Sequence, residues 1–383
     1  MKKTSSVIRS FITLAVGLSA AASAIGQAAR TPPVVSPVVN PDRTITVRFR
    51  APDARKVELS GQFLTANQPM VKDEFGVWSA TVGPVSPDLY PYNFVVDGVG
   101  VADPVNQYVF PNEGFKASLV DVPDTEPSLR SVQKVPHGEL TYAFYESQSL
   151  GCTRPLVIYT PPGYRAGSER YPVLYLVSGT TDTEETWFRV GRMNFMLDNL
   201  IAQKRAVPMI VVMPYGNMLM GMPRPWTPEV AAMYKAFGDE LVGKIVPYVE
   251  TNYRAIPERD KRAIAGFSRG GGESLFTAFN HLDTFAWVGS YSAYLTTEVF
   301  DKYFPELSAD PAATNRQLKL LWLGVGESDF LFAQASTFID LLAARKIVHQ
   351  KLITEGGHTW MNARHYLAET LQLYFKDGSA VAR

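Results

Sequence analysis

A serine inside a glycine-rich pentapeptide is the residue of this sequence best suited to chemistry. The pentapeptide runs from Gly266 to Gly270 and holds Ser268 at its centre. In enzymes that use this pattern, a sharp turn between a strand and a helix exposes the serine hydroxyl to a base, and the small residues leave room for the tight backbone. Residues 261–265 predict the entering strand, and residues 271–279 predict the departing helix. The local context therefore predicts a nucleophilic serine.

A histidine is the predicted base for this serine. Where such a turn carries the nucleophile, the acid and then the histidine follow it along the chain. His358 meets this order and lies in a glycine-rich loop just after a predicted strand, where active-site groups gather. The positions of the four remaining histidines exclude them as the base. In chain order, they lie before the serine, at the end of its own helix, at the opposite edge of the sheet and inside the last helix: His137, His281, His349 and His365.

The acid is predicted in the loop that follows residues 318–325, another apolar strand. This loop offers two carboxylates, Glu327 and Asp329. Either could orient the imidazole and stabilise its protonated form. Asp329 is favoured because it lies further into the turn and precedes an apolar pair that could anchor it. We expect the other carboxylate to be a solvated loop charge.

Two backbone N–H groups are required to bind the developing oxyanion. One belongs to the residue after the nucleophile, Arg269. The other is predicted in the loop 177–182, which follows an earlier strand. Thr180 is the predicted donor there, because Gly179 lets the chain turn closely over the site.

The residues ahead of this chemistry predict a separate all-β domain. With 383 residues, of which 46% are hydrophobic, the chain can bury the cores of about two domains. In residues 31–123, short alternating runs predict a β-sandwich, and Asp97-Gly98 predicts a hairpin turn. The predicted strands are 44–49, 56–59, 76–82 and 89–98.

The remainder of the chain predicts an α/β domain. Residues 124–136 are polar with spaced prolines and predict a linker. In residues 137–378, strand-like and helix-like segments alternate, and several strand segments are continuously apolar, as expected of parallel strands covered on both faces. The predicted strands are 156–159, 173–177, 209–213, 262–265, 287–290, 318–325 and 350–354. The predicted helices are 194–203, 231–252, 271–280, 333–345 and 360–375.

The amino terminus predicts export. Lys2, Lys3 and Arg9 precede an apolar stretch at 11–24, so residues 1–28 are predicted to be a signal peptide. This stretch is shorter than the roughly 20 residues of a spanning helix, and no later segment is predicted to cross a membrane. We therefore expect a secreted or periplasmic protein.

Charge and cysteine content narrow the class of partner. Lysine plus arginine equals aspartate plus glutamate at 37 each, with no basic stripe, which argues against a nucleic-acid partner and favours a neutral or weakly charged substrate. The only cysteine, Cys152, has no partner for an intramolecular disulfide or a cysteine zinc site. It is expected to be buried as a small hydrophobic residue.

Five segments of the second domain follow one another in a recognisable order: 157–164, 171–176, 210–216, 264–268 and 356–360. Together they resemble the putative-esterase family of α/β-hydrolases, particularly the feruloyl and acetylxylan esterases of the first carbohydrate esterase family. The resemblance covers about residues 136–375.

A second resemblance is carried by Trp78, residues 90–92, residues 96–98 and Asp103-Pro104. With these residues, the segment 42–122 resembles the early-set immunoglobulin-like module that accompanies isoamylases and glycogen-branching enzymes, which in some relatives binds glycans. Trp78 is expected either to fill the sandwich core or to bind glycan.

The resemblance implies a serine esterase that forms an acyl-enzyme on Ser268 and needs no metal or cofactor. It implies a feruloylated or acetylated polysaccharide such as xylan as the substrate, with Trp226 and Trp360 either lining the acyl or sugar site or packed in the core. Siderophore esterases of the enterochelin type share the two-domain order and remain an alternative. A non-catalytic glycan-binding protein is an alternative of another class.

Two residues depart from the pattern of these relatives. Ser178 stands where relatives often carry histidine, and Arg269 stands where they carry methionine or another apolar residue. The backbone donors are unaffected by either change. The Arg269 side chain is expected either to place a cation beside the site or to point into solvent.

Overall fold

Alternating buried and exposed residues fold the first part of the chain into two antiparallel sheets. The computed structural model describes residues 33–148, 150–218 and 228–376, and the described residues from 34 onward form one compact unit. The strands described in the first part are β1 (Val38–Val39), β2 (Ile45–Arg50), β3 (Val57–Gly61), β4 (Gln68–Pro69), β5 (Val71–Lys72), β6 (Val77–Val82), β7 (Asp88–Val96), β8 (Val99–Val101) and β9 (Ser118–Val122).

These strands form a β-sandwich. One sheet has the order β1-β2-β6-β5, and in the other β4, β3, β7 and β8 lie side by side while β9 pairs with β7. Both sheets contribute to one apolar core, which includes Trp78. The indole Nε1 of Trp78 donates to the Ala51 carbonyl at 2.9 Å, so the structure assigns this side chain to packing.

The predicted hairpin turn at Asp97-Gly98 is confirmed. Val96 pairs with Val99, and both turn residues have positive φ, 47° and 90°, as a two-residue hairpin of the type I′ class requires. The Asp97 carboxylate also accepts the backbone N–H of Lys56 at 2.9 Å. The turn therefore ties β3 to β7 as well as closing β7 on β8.

The second part of the chain is built on a mostly parallel sheet. Within the described residues this sheet has eight strands in the order β10-β11-β13-β12-β14-β15-β16-β17. β11 is antiparallel to both neighbours. The other six strands on its β13 side, β12 to β17, are parallel to one another. The bounds are β10 (Glu139–Ser147), β11 (Cys152–Thr160), β12 (Val173–Val177), β13 (Ile210–Pro214), β14 (Arg262–Phe267), β15 (Trp287–Tyr291), β16 (Leu320–Gly326) and β17 (Gln350–Thr354).

Helices cover both faces of this sheet, which explains why its central strands are continuously apolar. Three of the helices below, α1, α2 and α10, pack on one face, and most of the others pack on the opposite face. No described helix is long and apolar enough to cross a membrane. The bounds are α1 (Thr186–Arg189), α2 (Met193–Ala202), α3 (Pro228–Glu240), α4 (Val246–Asn252), α5 (Arg269–Asn280), α6 (Thr297–Tyr303), α7 (Pro305–Ala309), α8 (Pro311–Gln317), α9 (Phe332–Ala344) and α10 (Trp360–Leu371).

Sequence periodicity located the long elements and missed the short or exposed ones. The helix predicted at 231–252 is interrupted by a π-helical turn at Leu241–Ile245. Strand β10 and helices α6 to α8 were not predicted, because β10 is an edge strand with exposed apolar residues and the three helices span at most seven residues each. The expected burial of Cys152 was wrong: it begins β11 beside the β10 hairpin and is exposed.

The sandwich and the parallel-sheet region share a packed interface. Leu89 and Phe110 of the sandwich region lie in the same apolar cluster as residues of α1 and α10. Arg364 of α10 is buried and donates to the Asp88 carboxylate at 2.6 Å. The segment predicted to be a linker also rests on the second region, since the Asn199 side chain donates to backbone carbonyls at positions 129 and 131.

Candidate active site

The backbone around Ser268 forms a sharp turn between β14 and α5. Ser268 has φ 56° and ψ −122°, a conformation that L-residues adopt rarely and that is concentrated at functional sites. A Cβ at Gly266 would lie 2.3 Å from the Gly270 carbonyl oxygen, and one at Gly270 would lie 2.4 Å from the Val177 carbonyl oxygen. The small residues predicted to make room for the turn are therefore required by backbone contact.

His358 reaches this serine from the loop between β17 and α10. Its Nε2 lies 2.8 Å from Ser268 Oγ. The imidazole stacks on the buried Phe267 ring, with ring centroids 4.8 Å apart. It also contacts the Phe330 ring, with ring centroids 4.5 Å apart. Two aromatic rings therefore hold the imidazole in place while leaving its Nε2 directed at the hydroxyl.

Asp329 holds the other side of the imidazole. Its Oδ2 lies 2.9 Å from His358 Nδ1, and its Oδ1 accepts the Leu331 N–H at 2.8 Å. Burial opposes ionisation of Asp329, but the hydrogen bond and charge of His358, together with the Leu331 N–H, outweigh it and hold the pKa below its ordinary value. Glu327, the alternative acid, is exposed.

The two backbone N–H groups predicted to bind the oxyanion belong to segments that meet Ser268. Arg269 is the first residue of α5, so its N–H has no acceptor within the helix. Thr180 follows Gly179, and a Cβ added at Gly179 would lie 3.5 Å from the Ser268 Cβ. Among the described residues, no hydrogen bond occupies the Thr180 N–H. The loop after β12 thus approaches the serine closely, as predicted from Gly179.

The Arg269 side chain does not point into solvent, which was one of its two predicted courses. It is fully buried and pairs with Glu273, one helical turn further on, at 2.7 Å between Nη1 and Oε1. Its Nη2 also donates to the Gly179 carbonyl at 3.1 Å. Burial raises the pKa of Glu273 even though Arg269 opposes that rise. The guanidinium therefore ties the helix to the loop after β12 and does not face solvent.

We expect Arg269→Met to lower the free energy of unfolding by about 3 kcal/mol or more, because removing one partner leaves the other charge buried and unpaired. The double variant Arg269→Met/Glu273→Leu should regain most of this loss, since apolar groups of similar volume often replace a buried pair at little cost. Urea unfolding of the native protein and both variants measures the effect. Equal stability of the native protein and the single variant would contradict it.

The two tryptophans predicted as possible substrate contacts are not both described. Trp226 lies outside the described residues. Trp360 is 4% exposed and packs against Trp187, with centroids 4.8 Å apart, and against Phe267 at 5.3 Å. The substrate-lining role is corrected for Trp360: it belongs to the core beneath the histidine loop, because its indole is enclosed by other rings.

One aromatic residue at the site was missed. Phe330 is 65% exposed and touches His358. Its position directly after Asp329 in the sequence was the available signal, since a residue next to the acid must lie near the imidazole. The sequence pattern indicated only an apolar anchor for the loop at this position. In the structure it offers an open aromatic face beside the base.

Comparison with known proteins places this geometry in a family. The model of the "Putative esterase" family matches residues 147–374. An endo-1,4-beta-xylanase/feruloyl esterase of Xylanibacter ruminicola is 28% identical over 351 residues, covering 89% of this chain and 46% of the relative. Esterase Rv1288 of Mycobacterium tuberculosis is 30% identical over 214 residues, covering 53% of this chain and 42% of the relative. The chain spans less than half the length of these curated relatives.

Solved structures show the same fold. A ferulic acid esterase, 25% identical, superposes with a TM-score of 0.54 and covers 62% of this chain and 97% of that one. The enterobactin esterase FES of Shigella flexneri is 18% identical and superposes with a TM-score of 0.62. The superposition covers 86% of this chain and 92% of that one. The family model matches more than half of the residues, so the chain belongs to the "Putative esterase" family of α/β-hydrolases.

Proposed function

We propose that this protein is a serine carboxylic-ester hydrolase with Ser268, His358 and Asp329 as its catalytic triad. The observation that carries the proposal is the continuous hydrogen-bonded series from Asp329 through the imidazole to the serine, at 2.9 and 2.8 Å. This geometry couples a nucleophile to a base and the base to an orienting carboxylate. The strained turn at Ser268 presents the hydroxyl to a substrate.

The geometry supports an acyl-enzyme mechanism. His358 Nε2 takes the proton of Ser268 as its oxygen attacks the ester carbonyl, while Asp329 stabilises the imidazolium through Nδ1–H. The N–H groups of Arg269 and Thr180 donate to the oxyanion of the tetrahedral intermediate. Collapse of this intermediate breaks the ester C–O bond, and the imidazolium gives its proton to the leaving alcohol. Water, activated by His358, then cleaves the acyl-enzyme and restores the serine.

We further propose that the acyl group is aromatic, with feruloyl esters on a plant polysaccharide such as xylan as the substrate class and acetyl esters as the alternative. The exposed ring of Phe330 beside His358 supports an aromatic acyl group, because offset or edge contacts between rings favour such a ligand. A relative that aligns with 89% of this chain carries the name endo-1,4-beta-xylanase/feruloyl esterase.

We expect Phe330→Ala to lower kcat/KM for methyl ferulate by about three- to tenfold more than for an acetyl ester, the equivalent of one lost ring contact, because the loss of support for the His358 imidazole affects both esters alike. The free energy of unfolding should change little, because the Phe330 ring is largely exposed. Phe144→Ala is the matched control, since Phe144 is 62% exposed on the edge strand β10. Equal losses for the two esters would argue against ring contact with the acyl group.

A panel of esters ranks the candidate substrates. Methyl ferulate, acetylated xylan and a catecholate siderophore ester should be offered to the native protein and to Ser268→Ala. The siderophore ester belongs in the panel because the fold likeness to FES extends over 86% of this chain, compared with 62% for the ferulic acid esterase. Activity confined to the siderophore ester would overturn the feruloyl proposal while retaining the triad. Binding of xylan without hydrolysis of any ester would favour a glycan-binding protein.

We also propose that the protein is exported. The support is the composition of residues 1–28, which lie outside the described residues: cations at Lys2, Lys3 and Arg9 stand ahead of an apolar stretch. An exported esterase meets polysaccharide outside the cell. Fractionation of cells that produce the full chain tests this, and retention of uncleaved protein in the cytoplasm would contradict it.

A further inference from the structure

A loop of the sandwich region lies directly along the loop that carries the proposed oxyanion donor. The Glu113 N–H donates to the Thr181 carbonyl at 2.8 Å, and the Thr186 hydroxyl donates to the Pro111 carbonyl at 2.9 Å. Asn112 and Asp182 form an antiparallel bridge between the two segments. The sandwich therefore forms part of the wall of the active-site region.

Within this contact, one side chain of the sandwich is linked to the proposed site by hydrogen bonds. Asn112 Nδ2 donates to Asp182 Oδ1 at 2.9 Å, and Asp182 Oδ2 accepts the Gly179 N–H at 3.2 Å. Asn112 and Asp182 are both buried. On its other side, the Gly179 carbonyl accepts from Arg269. The peptide units around Gly179 are thus fixed from two directions.

The position of Gly179 decides where the next N–H points. Gly179 packs on Ser268, and Thr180 follows it directly. An oxyanion donor works only when it is held at hydrogen-bond distance from the place where the charge develops, and a small displacement weakens catalysis strongly. A contact that holds Gly179 therefore acts on the transition state without touching the substrate.

We propose that Asn112 is a positioning residue for acyl transfer: through Asp182 it holds the Gly179–Thr180 segment in its oxyanion-binding geometry, so that the active site is complete only with the sandwich docked. This inference rests on the proposed function. It assigns the sandwich a direct part in the chemistry of the neighbouring region, beyond any contact with glycan.

The chemistry of the contact explains why an amide is needed at position 112. Asn112 Oδ1 accepts the N–H of Gly114 at 2.8 Å and so shapes the sandwich loop, while Asn112 Nδ2 donates to the Asp182 carboxylate. Burial raises the pKa of Asp182 to about 7, and the Asn112 and Gly179 donors oppose that rise. The ionised carboxylate that holds Gly179 therefore depends on the amide donor.

The Asn112→Asp variant separates these two roles. A carboxyl group retains the acceptor that shapes the loop. When both carboxyl groups are ionised, it replaces the donor to Asp182 by a like charge, so the rates are compared at about pH 9, where a proton shared between the two groups is disfavoured. We expect kcat per active site to fall by about 10- to 100-fold with methyl ferulate or another accepted ester, and KM to change little, because the loss concerns a transition-state interaction. Active-site titration with a phosphonate ester counts functional sites, so that misfolded protein does not enter kcat.

A second readout reports on the oxyanion geometry itself. A trifluoromethyl ketone forms a tetrahedral adduct with the serine whose oxyanion occupies the donor site. We expect its inhibition constant to rise with Asn112→Asp in parallel with the fall in kcat. A merely structural defect would lower the number of titrated sites and leave this affinity per site unchanged.

Exchange of the two groups provides the rescue. In Asn112→Asp/Asp182→Asn the new amide can donate to position 112 while its oxygen accepts the Gly179 N–H, so we expect kcat to recover most of the loss. Asn106→Asp is the matched control: the Asn106 amide also shapes a sandwich loop, and it donates to Leu119 and Tyr92 within the sandwich. We expect this control to leave kcat per site unchanged.

The outcomes separate this inference from the function on which it rests. A native protein that hydrolyses esters through Ser268, together with an Asn112→Asp variant whose kcat per site is within about twofold of native, overturns the inference alone. An equal loss in Asn106→Asp also overturns it, because the effect would then come from the sandwich as a whole. Full activity of Ser268→Ala overturns the proposed triad instead.

Discussion

The Ser268→Ala variant should hydrolyse every accepted ester more slowly by about 10⁶-fold in kcat, while remaining folded. The hydroxyl is the group that forms the acyl-enzyme, and its loss leaves His358 Nε2 without the partner that it contacts at 2.8 Å. Alanine keeps the Cβ, so the turn with φ 56° is no more strained than before. Initial rates with methyl ferulate measure the loss, and circular dichroism measures the fold.

Ser274→Ala is the control for this variant. Ser274 lies on the same helix α5, and its hydroxyl donates to the Gly270 carbonyl at 2.7 Å. Its loss should change kcat by less than about threefold, because a neutral hydrogen bond contributes only about 1 kcal/mol to stability and none to bond making here. Comparable rates for Ser268→Ala and native protein would refute the triad.

The Asp329→Asn variant should lose about 10⁴-fold in kcat. The amide can occupy the same space, but it can present its NH₂ group to His358 and favour the tautomer that has no lone pair facing the serine. Glu327→Gln is the matched control, since it makes the same chemical change two residues earlier at an exposed position. It should leave kcat unchanged, and equal losses in both variants would reassign the acid.

The pH dependence follows from the direction of the pKa shift of Asp329. Because the folded pKa lies below that of the unfolded chain, ionised Asp329 stabilises the fold above about pH 4, and this contribution is lost as the pH falls through the folded pKa. The difference in unfolding free energy between native protein and Asp329→Asn should therefore narrow from pH 7 toward pH 3. A difference that widens on acidification would contradict the ionised state.

Much of the fold could be predicted because it follows from local patterns. Continuous apolar runs located the buried parallel strands, and β12 and β17 have the predicted bounds. The three residues now in contact at the site could be named from the order of nucleophile, acid and histidine, and from their places at strand ends. The edge strand β10 was not predicted, because Tyr142 and Phe144 are exposed and therefore break the pattern in which apolar residues face the core.

Local sequence accounts for the turn at Ser268, the order of its partners and the alternation of strands and helices, since these depend on backbone sterics and on periods of a few residues. Long-range packing accounts for the inward course of Arg269 to Glu273 and Gly179, for the burial of Trp360, and for the contact of Asn112 with Asp182. Asn112 and Asp182 are 70 residues apart, and Arg269 and Gly179 are 90 apart. Contacts over such separations depend on how whole elements pack, and no short-range pattern encodes them.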